Sequence, residues 1–131
     1  MERQAGGKLR IADFELPLPL QPKARPRFAG HAYKDAAYRD WSRQCRAILA
    51  EWWAIPPLDK GQVIAVQFTF RGPGRSDLDN LQGAVMDAGK GIVWVDDRVT
   101  ILRRIVAEWE PAPTNKQSIY LKVVWNDLPK L

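Results

Sequence analysis

The chain has 131 residues, 46% of them apolar and 27% charged, with a net charge of +5 and an isoelectric point near 9.6. A chain of this size buries a core without staples, and its one cysteine, Cys45, and one histidine, His31, exclude an intramolecular disulfide and a Cys/His zinc site within one chain. No apolar run reaches the ~18–20 residues of a membrane span and the N-terminus lacks a signal-peptide core; a cytoplasmic protein is expected, with a basic balance that suits a polyanionic partner.

Residues 1–8 carry Gly6-Gly7 and little apolar content, which predicts a flexible N-terminus. Residues 9–18 place Ala12, Phe14 and Leu16 on one face and predict a strand ended by Pro17 and Pro19. Over 19–30 the prolines remove too many amide donors for a helix or a central strand. An extended loop follows, with Lys23, Arg25 and Arg27 set among the prolines as candidates for contact with a phosphate backbone. His31 reads as a polar surface residue rather than a general base.

Tyr38, Trp41, Cys45, Ile48, Leu49 and Trp52 recur at three- and four-residue spacing and predict a helix over 35–53, stopped by Pro56-Pro57. Arg39, Arg43 and Arg46 share its other side as a solvated face. Residues 62–70 predict a strand with Ile64, Val66, Phe68 and Phe70 on one face, followed by a turn over 71–75. A second helix fits 78–88, with Leu78, Leu81, Val85 and Ala88 on its apolar side and Gly89 and Gly91 ending it. Residues 91–95 form a short apolar run expected to lie beside the strand 62–70, with Trp94 and Val95 in the core. Strands are predicted over 99–109 and 117–125, joined by a turn, and 126–131 are a tail. The whole predicts a small α+β domain over 9–125, a mixed sheet of about four to five strands flanked by two helices.

The acids carry the functional question. Asp77 and Asp79 open the second helix, and Asp96-Asp97 follow the apolar run after it. One reading makes Asp77 an N-cap and Asp79 a partner of the helix dipole. The other brings Asp77, Asp79 and Asp97 together on a hard divalent cation, because three converging carboxylates are costly without one. Asp87, near the end of the helix, reads as a solvated residue.

The stretch Asp77-Leu78-Asp79-Asn80-Leu81, a helix to Asp87 and a short apolar run into Asp96-Asp97 resembles the RusA family of Holliday junction resolvases. So does the upstream segment 22–28 (PKARPRF) followed by a Tyr- and Trp-bearing helix. The resemblance covers most of 17–106. It implies a RusA-like fold and a homodimeric, Mg²⁺-dependent endonuclease, with Mn²⁺ as a substitute, that nicks four-way or branched DNA without a small-molecule cofactor or a membrane. It matches Asp77, Asp79 and Asp97 to the metal-binding catalytic acids, Asp96 to the acid before the last of them, and Asn80 to the asparagine after the pair. Family members usually carry a lysine needed for cleavage four residues after the second aspartate, where this chain has Gly83. Either Lys90 or the basic loop substitutes for it, or the chain binds branched DNA and cuts slowly or not at all. Arg71 and Arg75 are expected to flank the acids and offset phosphate charge. Trp109 and Trp125 on the last strands are candidates for a dimer interface.

Overall fold

The computed structural model describes residues 8–23 and 36–127. Its elements are β1 (Leu9–Leu16), α1 (Ala36–Trp52), β2 (Val63–Gly72), α2 (Leu78–Gly89), β3 (Ile105–Pro111) and β4 (Ser118–Asn126), with one turn of 3₁₀ helix, Thr114–Lys116, before β4. The strands form one sheet in the order β1-β4-β2-β3. β2 and β3 run parallel and the other two pairs antiparallel. The fold is therefore α+β, a mixed four-stranded sheet with two helices. None of the described helices is long and apolar enough to cross a membrane.

The pairing builds apolar rows across the sheet. Leu16, Ile119, Phe70 and Trp109 stand in one row, and Phe14, Leu121, Phe68 and Ala107 in the next. Tyr38, Trp41, Cys45 and Leu49 of α1 and Leu81, Ala84, Val85 and Ala88 of α2 join the same core. The opposite face of the sheet carries Asp13, Glu15, Arg71 and Tyr120, joined by ion pairs and hydrogen bonds.

Several expectations change here, each for a local reason. In β2 the inward residue is Val63 rather than Ile64, because a bulge between Val63 and Ala65 inserts one unpaired residue and reverses the alternation before it. Arg71 and Gly72 continue β2 instead of beginning a turn, held by their pairing to Glu110 and Pro111. β3 begins only at Ile105. Ile101 and Leu102 are adjacent and both buried, which a strand of period two cannot achieve; both donate their amides to the Arg98 carbonyl in a tight turn. Leu78 and Val95 are exposed, whereas Trp125 is core, its ring centre 5.0 Å from that of Trp53, and so offers no surface for a second subunit.

The run 91–95 does not lie beside β2. It folds back under the end of α2 and forms an isolated parallel bridge with Leu58. Trp94 is fully buried there and its indole Nε1 donates to the Met86 carbonyl at 2.9 Å. Gly89 makes room for it: a Cβ at that position would lie 2.6 Å from the ring. Gly91, at φ 77°, supplies the left-handed turn that reverses the chain. Arg46 of α1 closes the other side, its Nη1 donating to the carbonyls of Ala88 and Lys90, each at 3.0 Å. A cation on the last carbonyls of a helix satisfies both hydrogen bonding and the dipole.

Two alanine substitutions in α2 are expected to act in opposite directions. Gly89→Ala forces the Trp94 ring aside and lowers stability by about 1–3 kcal/mol, the scale of an overpacked core. Gly83→Ala meets its nearest non-helix atom at 3.5 Å, an ordinary contact, and raises stability by about 0.4–1 kcal/mol. Urea unfolding of the two variants checks this. A Gly89→Ala protein as stable as the wild type would show that the ring is not wedged.

Candidate functional site

Asp77 occupies the N-cap of α2 with extended backbone, φ −70° and ψ 142°, yet its side chain makes no capping hydrogen bond. The first turn closes instead on its carbonyl, which accepts from the amides of Asn80 and Leu81. The cap reading of Asp77 therefore fails on its defining contact. Asp79, in the first turn of the helix, is exposed beside it.

Asp79, Gly83 and Asp87 follow at intervals of four, so they line one side of α2. Gly83 leaves a gap in that line, and Lys23 fills it from another segment. The Lys23 amide donates to the Asn80 carbonyl at 3.0 Å. Its Cδ and Cβ lie 3.5 and 3.9 Å from where a side chain at 83 would begin. The ammonium ends 3.9 Å from Asp87 Oδ1.

Asp87 is the hub of this side, not a solvated residue. Its Oδ2 accepts from the Tyr38 hydroxyl at 3.1 Å, and Lys90 Nζ stands 3.3 Å from its Oδ1. The same Lys90 ammonium is 3.7 Å from Asp97 Oδ1, so it ties Asp97 to the C-terminal half of the helix. The hydrogen bond to Asp87 and the charge of Asp97 hold the Lys90 pKa above its ordinary value. Burial, with Asp87 adding to it, pushes the Tyr38 phenol well above its ordinary value, so Tyr38 keeps the proton it donates to Asp87.

Asp96 shapes the turn that presents Asp97. Its Oδ1 accepts from the Asp97 amide at 2.8 Å and its Oδ2 from Arg98 Nε at 2.9 Å. These two donors hold its carboxyl below the usual range, the amide contributing most.

For a hard divalent cation the donors are right: carboxylates, with Asp77 not tied up as a cap. The side chains as they stand do not converge. Among the described residues no three His, Cys, Asp or Glu side chains form a group that could hold a metal. Asp79 and Asp87 are separated by eight residues of helix, about 12 Å of rise, and Asp97 is paired through Lys90 toward the Asp87 end.

The basic candidates divide by location. Lys23 and Lys90 lie on the acidic side of α2. Arg75 is exposed just before Asp77 and lines a cleft of about 210 Å³ with Leu20, Ser76 and Gln117. Arg71 sits on the open face of the sheet, hydrogen-bonded to Glu110 at 2.9 Å and Glu15 at 2.8 Å. Arg25, Arg27 and His31 lie outside the described residues. Sequence reasoning missed Asp87 and Tyr38 as site residues. The spacing of Asp79, Gly83, Asp87 and Lys90 carried a signal for the first; nothing local marks the second, because it arrives from α1.

The family model described as Endodeoxyribonuclease RusA matches residues 17–123. None of the curated proteins matches. Among solved structures, one of hydrogenase maturation protein HypE in complex with ATP is similar at 14% identity and a TM-score of 0.37. The match covers 98% of this chain, which spans about a third of the length of that protein, 33%.

Burial raises three groups, Tyr38, Cys45 and Tyr120, and each lowers stability at alkaline pH. Tyr38 and Cys45, whose thiol is pushed up from 9.0 to about 12, hold their protons in the fold at pH values where the unfolded chain releases them. The native state then binds more protons, so stability falls as pH rises, from about pH 9 for Cys45 and pH 10 for Tyr38. Urea midpoints measured from pH 8 to 11 are expected to decline, and Tyr38→Phe to shrink the part that begins near pH 10, Tyr120 supplying the remainder. An unchanged slope in Tyr38→Phe would mean that its phenol is not held protonated by burial and Asp87.

Proposed function

Because the chain belongs to the endodeoxyribonuclease RusA family, we propose that it is a divalent-metal-dependent endonuclease acting on four-way or otherwise branched DNA as a homodimer. The observation that carries this reading is the start of α2, where Asp77 and Asp79 stand exposed and Asp77 forgoes the cap contact that would otherwise explain it.

Asp77, Asp79 and Asp97 are the residues that would hold the ion, Mg²⁺ or Mn²⁺. Asp96 serves chiefly by fixing the turn before Asp97. Bound there, the ion would lower the pKa of a water and offset charge on the phosphate. Hydrolysis forms one water oxygen–phosphorus bond and breaks one phosphorus–ester oxygen bond, the departing oxygen taking a proton. A side-chain nucleophile is not required. Cys45 is unsuited to be one, since it is fully buried and its thiol is pushed up to about 12 by burial.

Lys23, Lys90 and Arg75 flank the acids and would meet the phosphodiester backbone, with Arg25 and Arg27 continuing the basic segment after Lys23. Phosphate contacts position a duplex arm but carry no sequence information. Recognition of a junction would therefore rest on its shape and on the spacing of two sites related by a two-fold axis.

Nicking of an end-labelled four-way junction with and without Mg²⁺ tests the reading. The wild type is expected to nick only with the metal. Asp79→Asn is expected to cut more than about a hundredfold more slowly while still binding the junction. Tight binding with no metal-dependent nicking by the wild type would replace this conclusion with a branched-DNA binding protein.

A further inference from the structure

The line of residues along α2 contains one gap, at Gly83, and the side chain in the gap comes from elsewhere. We propose that Lys23 is the cation that serves the reacting phosphate, delivered by the segment before α1 instead of by α2 itself. The inference rests on the nuclease reading above and assigns a rate-determining residue within it.

Three observations place Lys23 there. Its backbone is tied to α2 by the bond from its amide to the Asn80 carbonyl, one residue after Asp79. Its stem lies beside Gly83, within 3.5 to 3.9 Å of the position a Cβ would take. Its ammonium stands 3.9 Å from Asp87 Oδ1, a separation beyond a direct hydrogen bond. Gly83 is midway between Asp79 and Asp87, about 6 Å of helix rise from each. A lysine anchored at that midpoint has a flexible four-carbon stem that serves either end. It rests near Asp87 and turns toward Asp79 when a phosphate is there. A side chain longer than alanine at 83 would take the same space, so the glycine and the lysine are two parts of one arrangement.

Lys90 does not meet the same conditions. It is held between two carboxylates, Asp87 at 3.3 Å and Asp97 at 3.7 Å, and it starts from the far end of the helix. Its resting contacts are at the Asp87 end of α2, eight residues along the helix from Asp79.

Single-turnover nicking of a labelled junction at saturating protein, with Mg²⁺, separates the outcomes. Lys23→Ala is expected to lower the rate by about a hundredfold, the loss typical of one group that stabilises transition-state charge. Junction affinity should change by no more than about threefold, the scale of one exposed charge. The thermal midpoint should not move. Adding Gly83→Lys to Lys23→Ala is expected to restore most of the rate, which a merely structural role for Lys23 would not allow. If Lys23→Ala cuts like the wild type, or loses rate only in proportion to affinity, the assignment of Lys23 is wrong and the nuclease reading stands. If the wild type itself does not nick, both fall together.

Discussion

The burial of Trp94 against Gly89 is the contact on which the geometry of the acidic side depends. It ties the last turn of α2 to the ring, which packs where residue 89 carries no Cβ and donates to the Met86 carbonyl. It also fixes where the chain goes next. With Trp94 held, Val93 and Val95 bond to Leu58 on either side, the Leu58 amide donating to one and its carbonyl accepting from the other. Asp96 and Asp97 follow Trp94 by two and three residues, so their position is inherited from an aromatic ring in the core. A polar site is often only as well placed as the apolar group behind it.

Charge is distributed between the two faces of the sheet according to what each face does. On the open face the carboxylates of Glu15 and Glu110 share Arg71, and Asp13 takes the Tyr120 hydroxyl, so donors and acceptors largely satisfy one another. Such exposed pairs add little stability and leave little net field. On the α2 side the balance is different. The ammonium groups of Lys23 and Lys90 gather near Asp87 and Asp97, where α2 ends.

Much of this was legible in the sequence. Helical spacing marked α1 from Tyr38 to Trp52 and α2 from Leu81 to Ala88, and alternation marked β4, since these elements each bury one regular face. The paired acids located the helix start. Legibility failed where one residue changed the phase: the bulge at Ile64 hid Val63, and the adjacent burial of Ile101 and Leu102 looked like strand hydrophobicity. It failed again where a contact joins distant segments. Lys23 and Gly83 are sixty positions apart, as the numbering shows, and each is unremarkable alone. The gap in α2 had been visible as a missing side chain; its filling is a tertiary fact that no local pattern encodes.

The strand order has a consequence for how the molecule comes to exist. β4 is the last described strand in the chain but lies inside the sheet, bonded to β1 on one edge and β2 on the other. During synthesis β1 has no sheet neighbour for more than a hundred residues after it emerges, as the pairing of Leu9 with Asn126 makes plain. The helices can form early, and β2 and β3 can pair, but the apolar rows of the sheet remain open until β4 is inserted between them. Closing so long a loop adds little to the equilibrium cost, which grows only with the logarithm of its length. It does make the sheet wait for a partner distant in sequence, with β1 and β2 exposed as sticky edges until β4 arrives.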